Sequence, residues 1–167
     1  SYYIPCFFLI FNCIFYNNTA FSGGGIDNGG SCSPTIINCM FYNNTAVVGG
    51  GISNEENSSP TVINCNFSGN SADSFGGGML NVDSSPQVTN CIFWGDTASF
   101  ENEIFTNSGT PVVTYCNVQG GHQGTGNISA DPLWFNPTWG DFHLLPSSPC
   151  IDAGSNSAIQ ATGITED

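Results

Sequence analysis

"NCMFYNNTAVVGGGI", Asn38 to Ile52, sets a buried-looking cysteine and phenylalanine beside a polar Asn pair and three consecutive glycines. In isolation it reads as a site, either a metal cradle or a glycine-rich anion loop. It does not stand in isolation. Cysteines recur at Cys13, Cys39, Cys65, Cys91 and Cys116, in steps of 26, 26, 26 and 25 residues. Asn12, Asn38, Asn64 and Asn90 precede the first four, and Tyr115 precedes the fifth. Phe15, Phe41, Phe67 and Phe93 follow two residues later, with Val118 in the fifth copy. "FYNNTA" (twice), "FSGNSA" and "FWGDTA" are one element in four copies. "GGGI", "GGGI" and "GGGM" begin at Gly23, Gly49 and Gly76, with "NEI" (Asn102 to Ile104) in the fourth copy. Pro34, Pro60, Pro86 and Pro111 mark the entry to each unit. A fixed period of this length is the signature of a repeat architecture, so the stretch is one unit of a scaffold.

The segments between glycines, prolines and Asn clusters are too short for helices and rich in Ile, Val, Phe, Thr and Asn, which favour short strands and turns. Several short strands in about 26 residues suit one turn of a parallel β-helix. The expected fold is therefore all-β, a right-handed parallel β-helix (solenoid) of four to five coils plus a C-terminal closing segment. Residues 1–120 are read as coils, 121–154 as the closing segment of the same domain, and 155–167 as a tail or linker. Coils stack at strand spacing, ~4.8 Å, so like residues form columns whose facing can be read. Ile10, Ile36, Val62, Val88 and Val113 are uniformly apolar and point inward. The columns of Ile37 and Met40 are mixed and are read as outward, whereas Cys39 and Phe41 point inward.

Alternation thus slips near Asn38, which implies a bend. A buried asparagine ladder is expected there along Asn12, Asn38, Asn64 and Asn90, with a second along Asn18, Asn44, Asn70 and Asp96. Glycine permits the positive φ and close backbone approach of a cramped corner. Beside it the column of Ile26, Ile52, Met79 and Ile104 fills the core. Length varies between Ala72 and Gly76 and between Met79 and Pro86, which are read as loops.

The chain has 167 residues, 40% of them apolar, enough to bury one core. The most apolar run, "YYIPCFFLIF" (Tyr2 to Phe11), is too short to span a bilayer. It has the length of a signal-peptide apolar region but lacks a basic segment before it. There is no Lys or Arg against 13 acidic residues, a formal charge of −13. Phosphate neutralisation needs cationic side chains, so no nucleic acid is expected as a partner. Anionic lipid is disfavoured for the same reason, and no direct membrane insertion is expected. Eight cysteines without a CxxC argue against zinc and thioredoxin-type chemistry and for an oxidising, extracellular setting. Five sequons, at Asn17, Asn43, Asn57, Asn66 and Asn127, fit that setting as candidate glycosylation sites.

"FYNN", "FSGN" and "FWGD" beside "GGGI" and "GGGM" resemble the paired FxxN and GGA-I repeats of polymorphic outer-membrane proteins. They are similar more widely to secreted bacterial right-handed β-helix repeat proteins. The resemblance covers about residues 6–118, with a third glycine in place of the usual alanine. The segment "DPLWFNPTWGDFHLLPSSPCIDAG" (Asp131 to Gly154) resembles the C-terminal segment that closes many such domains. The resemblance implies a secreted or cell-surface module, often adhesive or structural, and does not imply a reaction.

Stacked cysteines fall within disulfide reach, and Cys6–Cys32, Cys13–Cys39, Cys65–Cys91 and Cys116–Cys150 are conceivable. Parallel Cβ vectors in one column do not converge, so Cys13, Cys39, Cys65 and Cys91 are expected as a reduced ladder. Cys6–Cys32 and Cys116–Cys150 are the better disulfide candidates. His122 and His143 sit in different segments without ligand spacing, and no metal or cofactor is expected. Asp131, Asp141 and Asp152 are the carboxylates a calcium site or a glycosidase would use, but each is also placed to cap a turn. Lyase-type β-helix chemistry needs a basic residue that this chain lacks. One outward hydroxyl column (Thr19, Thr45, Ser71, Thr97) is the only feature of an ice-binding array. The expectation is a non-enzymatic extracellular structural or adhesive module, with glycan or cell-surface ligands and self-association through the β-helix ends as partners, to the point of a filament. A glycoside hydrolase and an ice-binding solenoid are the alternatives.

Overall fold

The computed structural model describes residues 6–157. The first coil contributes β1 (Leu9–Phe11), β2 (Ile14–Tyr16), β3 (Thr19–Ser22) and β4 (Ile26–Asn28). The second gives β5 (Thr35–Ile37), β6 (Met40–Tyr42), β7 (Thr45–Val48) and β8 (Ile52–Asn54). The third gives β9 (Thr61–Ile63), β10 (Asn66–Ser68), β11 (Ser71–Phe75) and β12 (Met79–Asn81). The fourth gives β13 (Gln87–Thr89), β14 (Ile92–Trp94) and β15 (Ile104–Thr106), and the fifth β16 (Val112–Thr114) and β17 (Asn117–Val118). Like strands pair in parallel into four faces: β1-β5-β9-β13-β16, β2-β6-β10-β14-β17, β3-β7-β11 and β4-β8-β12-β15. This is the expected solenoid. A C-terminal hairpin of β18 (Trp134–Asn136) and β19 (Asp141–Leu144) is antiparallel.

The register stacks Ile10, Ile36, Val62, Val88 and Val113 in one column. Phe15, Phe41, Phe67 and Phe93 form a second, with ring centroids 4.9, 4.7 and 4.2 Å apart and planes within 5° of parallel. These side chains, with Ile52, Met79 and the cysteines, make the core. Stacking turns the 26-residue period into continuous apolar columns, and their burial is the main stabilising term.

The bends carry most of the sequence logic. Asn12, Asn38, Asn64, Asn90 and Tyr115 all adopt left-handed φ of 52–56°. Their backbone N–H groups still reach the next coil, as in Asn38 to the Ile63 carbonyl at 3.1 Å. The kink removes the backbone acceptor for the following N–H, and a cysteine supplies one instead. Cys39, Cys65 and Cys91 N–H donate to the Sγ of Cys65, Cys91 and Cys116 at 3.4, 3.4 and 3.3 Å. Each thiol in turn donates to the carbonyl two residues before it, for instance Cys65 to Ile63 at 3.2 Å. The buried ladder expected along Asn12, Asn38, Asn64 and Asn90 is therefore not there. Asn12 and Asn38 are exposed and the other two half-buried, because these residues supply backbone conformation, not side-chain rungs.

The true ladder lies at the second bend. Asn17, Asn43, Gly69 and Gly95 take the left-handed conformation, and the next residue caps the bend. Asn44 Oδ1 accepts from Asn18 N–H and Nδ2 at 3.1 and 3.0 Å. Asn70 Oδ1 accepts from Asn44 at 3.1 and 2.9 Å, and Asp96 Oδ1 from Asn70 at 2.7 and 2.8 Å. A further ladder, absent from the sequence reading, runs Asn28 to Asn54 to Asn81 to Thr106 at 2.9, 3.0 and 3.3 Å.

At the third bend Gly49 has φ +62°, and a Cβ on Gly51 would lie 2.4 Å from the Gly78 carbonyl oxygen and 3.0 Å from the Phe67 ring. The third glycine therefore leaves no room for an alanine. The extra residue after Ala72 is not a loop, as expected, but a bulge inside β11, where Phe75 pairs with Val48. The Ile37 column departs from its outward reading too: Ile37 and Ile63 are 3% and 5% exposed while lying outside the core cluster.

The end of the solenoid is closed by a short turn of chain, residues 124–129. Cys116 N–H, which has no sixth cysteine above it, donates to Asn127 Oδ1 at 2.9 Å. Ile128 bridges to Asn117. The rest of the expected closing segment does not close the end. It runs back along the outer side of the second face as a strap, with Phe142 against Tyr42 (5.4 Å) and Ser155 paired to the Asn90 amide at 2.8 and 3.0 Å. The tail beyond residue 157 lies outside the described residues.

Cys6 and Cys32 form a disulfide, and the other six cysteines are free. Cys116–Cys150, expected as a bond, is not one. Cys116 faces the core and donates to the Thr114 carbonyl, whereas Cys150 lies on the far side of the strand, accepting from Asn117 Nδ2 at 3.0 Å. A thiol-reactive dye is expected to label half-buried Cys13 and Cys150 under native conditions. Cys39, Cys65, Cys91 and Cys116 should label only on unfolding, read by mass spectrometry against denaturant.

Candidate functional site: an aromatic cleft beneath the strap

The parallel faces are built to pack, so side chains free for other work lie where the strap meets the second face. Outward positions of β2 and β6 place Tyr16 on Tyr42, rings stacked at 5.3 Å. Between β18 and β19 a 3-10 turn, Pro137–Trp139, ends on Gly140 at φ +77°. A Cβ at Gly140 would stand 3.0 Å from Tyr42 Oη, so glycine lets the turn settle onto the tyrosine. Trp139 is thereby held in the open at 85% exposure. Met40, Trp139, Gly140, Asp141, Phe142 and His143 line a cleft of about 250 Å³.

Its polar groups are a carboxylate and an imidazole two residues apart. Asp141 Oδ1 accepts from His143 N–H at 3.1 Å and pairs with the ring Nδ1 at 2.5 Å. Hydrogen bonds from the His143 ring and backbone hold the Asp141 carboxyl below its usual range. The arrangement offers an apolar platform with a fixed acceptor at its rim, the composition of a small-ligand binding surface.

The other sequence candidates are placed elsewhere. Asp131 caps Leu133 N–H at 2.9 Å, and Asp152 is exposed with φ +58°. His122 bonds the Gln123 carbonyl in a loop at the solenoid end. Among the described residues no group of three or more His, Cys, Asp or Glu side chains is arranged to hold a metal, and no helix is long and apolar enough to cross a membrane. Of the sequons, Asn17, Asn43 and Asn57 are exposed, and Asn66 is half-buried facing the strap. Asn127, unlike the expectation from its sequon, is occupied: its Nδ2 donates to the Val113, His122 and Gln123 carbonyls at 2.9, 3.2 and 3.3 Å. In the folded chain that amide is committed to closing the end and is not a free glycan acceptor.

One pair of residues lay outside the sequence reading altogether. Glu103 occupies the third-glycine position in the fourth coil, its carbonyl accepting from Met79 N–H as that of Gly78 accepts from Ile52. With no strand above it on this face, a side chain fits there and folds over the buried end of the ladder. Glu103 Oε1 accepts from Gly95 N–H at 3.1 Å, while Oε2 and Asp96 Oδ2, on neighbouring carboxyls, are buried with no donor from any other group among the described residues. Burial raises both carboxyls, Glu103 to about 7, and the neighbouring acid raises Asp96 further.

The family described as "Right handed beta helix region" matches residues 6–131, more than half of the chain. The chain belongs to the right-handed β-helix family. No curated protein and no solved structure matches it. The match covers the coils and the end-closing turn of this β-helix and stops where the strap begins, so the aromatic cleft lies partly on chain outside the matched region.

Proposed function

We propose that this β-helix is a non-enzymatic extracellular binding module that takes a carbohydrate on the aromatic cleft. The observation that carries this reading is Trp139, exposed yet fixed by a turn seated on Tyr42. An indole held open in water is costly unless something covers it, and the flat apolar face of a pyranose matches its shape. Asp141 then accepts from a ring hydroxyl. The extracellular setting is supported by the Cys6–Cys32 disulfide and three exposed sequons. The non-enzymatic reading is supported by the carboxylates' existing duties, since Asp131 and Asp141 both cap backbone N–H groups.

A glycan array followed by calorimetry tests it. Trp139→Ala is expected to weaken binding by about 30-fold, the loss typical of an aromatic anchor, with thermal stability unchanged. Equal binding by wild type and Trp139→Ala would sink the reading. Bond cleavage that survives Trp139→Ala but not Asp141→Asn would replace it with the hydrolase.

A further inference from the structure

Backbone accounting at the C-terminal end of the solenoid, among the described residues, leaves the fourth face open. On the first and second faces the chain supplies acceptors itself: Tyr115 N–H donates to the Thr125 carbonyl and Val118 N–H to Ile128. On the third face side chains take over. Ala98 N–H donates to Asn102 Oδ1 at 2.9 Å, and Gly95 N–H to Glu103 Oε1 and Gln119 Oε1 at 3.1 and 2.8 Å. Among the described residues the fourth face has no such cap. Ile26, Ile52 and Met79 N–H each donate to the coil above at 2.8–3.1 Å, and β15 is the last strand of that sheet. By the same register Ile104 N–H points out of the end, and alternation in a parallel ladder aims Thr106 N–H the same way.

Facing this edge across a cavity of about 540 Å³ is the loop of Gln119 to Gln123. Glu101 and Glu103 line the same cavity. Glu103 is 6% exposed and its Oε2 has no partner among the described residues. The edge is therefore unpaired, roomy and acidic.

The geometry points to an edge-strand docking site on β15 for an extended segment of another protein that carries Lys or Arg beside β-branched residues. The backbone of the incoming segment accepts from Ile104 and Thr106 N–H, the standard currency of strand addition. Its β-branched side chains extend the Ile104 column, and its cation meets Glu101 and Glu103. A second copy of this chain fits poorly. It has no Lys or Arg to offer.

The test uses a capped hexapeptide of alternating valine and lysine, its valine–glutamate counterpart, and the lysine peptide N-methylated at alternate residues. Binding is followed by fluorescence anisotropy and by amide shifts of the labelled protein. The lysine peptide is expected to bind at least about tenfold more tightly than either of the others, with the largest shifts at Ile104 and Thr106. Glu101→Gln, a change at an exposed residue, is expected to weaken it several-fold at unaltered melting temperature. Equal binding of the N-methylated peptide would mean attraction without strand pairing and would overturn the proposal. So would equal binding of the glutamate peptide, or sedimentation showing that the protein's own copies occupy the edge.

Discussion

Asn70→Ala is expected to lower the unfolding free energy by about 3–6 kcal/mol. The figure follows from the groups it strands. Asn70 Oδ1 is the acceptor for the Asn44 backbone N–H and amide, and Asn70 Nδ2 donates to the Phe41 carbonyl at 2.9 Å and to Asp96. All sit at 0–2% exposure, out of reach of water. An orphaned buried polar group costs roughly 1–3 kcal/mol, and two or more are created at once. Whole domains are stable by only about 5–15 kcal/mol, so the variant should lose much of its margin. Asn18→Ala is the control, because Asn18 is exposed and begins the ladder; its cost should stay near 1 kcal/mol. Urea titrations of the two variants decide it. Comparable midpoints would mean that the ladder contributes packing only and that its hydrogen bonds are nearly neutral against water.

The same contrast shows what the sequence can and cannot disclose. The repeat was legible because stacking forces like residues into columns, so the period, the core phenylalanines and the thiol column could be read directly. An asparagine column, however, has two physical uses, left-handed backbone or side-chain rung, and residue identity alone does not separate them. The substitutions within each column do. Asn17 and Asn43 give way to Gly69 and Gly95, which share only a tolerance of positive φ. Asn44 and Asn70 give way to Asp96, which shares only the Oδ1 acceptor. By that rule Tyr115 in the first column already pointed away from a ladder.

Features that occur once had no register to reveal them. The strap lies against the second face through Tyr42, Asn90 and Asn117, contacts between a repeat and a non-repeating segment. The bulge in β11 looked like a loop because an added residue is silent about where the strand absorbs it. Glu103 was hidden differently. It fills a glycine column at the coil where the fourth face ends, so its meaning depends on where that face stops. The cleft and the open edge share that origin. Both arise where the repeat stops, which is where a solenoid acquires chemistry that its coils lack.

Asp96→Asn is expected to stabilise the protein, and by more as pH rises. Asn44 and Asn70 donate Nδ2 protons to the Phe15 and Phe41 carbonyls at 2.9 Å. In the same register Asp96 presents Oδ2, an oxygen that donates only when protonated, and it does so beside Glu103. Burial and the Glu103 carboxyl therefore push Asp96 well above its usual range, and burial pushes Glu103 to about 7. A carboxyl raised in the folded state binds its proton more tightly there than in the unfolded chain. Its contribution is fully present below the unfolded value near 4 and is lost as pH climbs through the folded value. Stability should thus decline from about pH 4 as Glu103 titrates towards about 7, and Asp96, raised in the same direction, adds a loss of the same sign as it gives up its proton. Asp27, also raised by burial and by Glu55, adds a background of the same sign, so the comparison must be between variants. Asparagine supplies the missing donor at every pH. Asp96→Asn should gain about 1–3 kcal/mol at pH 8, the cost of an unpaired buried polar group, and be near neutral at pH 4. Its pH dependence should be shallower by up to one proton, about 1.4 kcal/mol per pH unit. Chemical denaturation across pH 4–8 measures both quantities. A wild-type profile that is flat over that range, or an Asp96→Asn variant less stable at pH 8, would show that the last rung carries its charge without penalty.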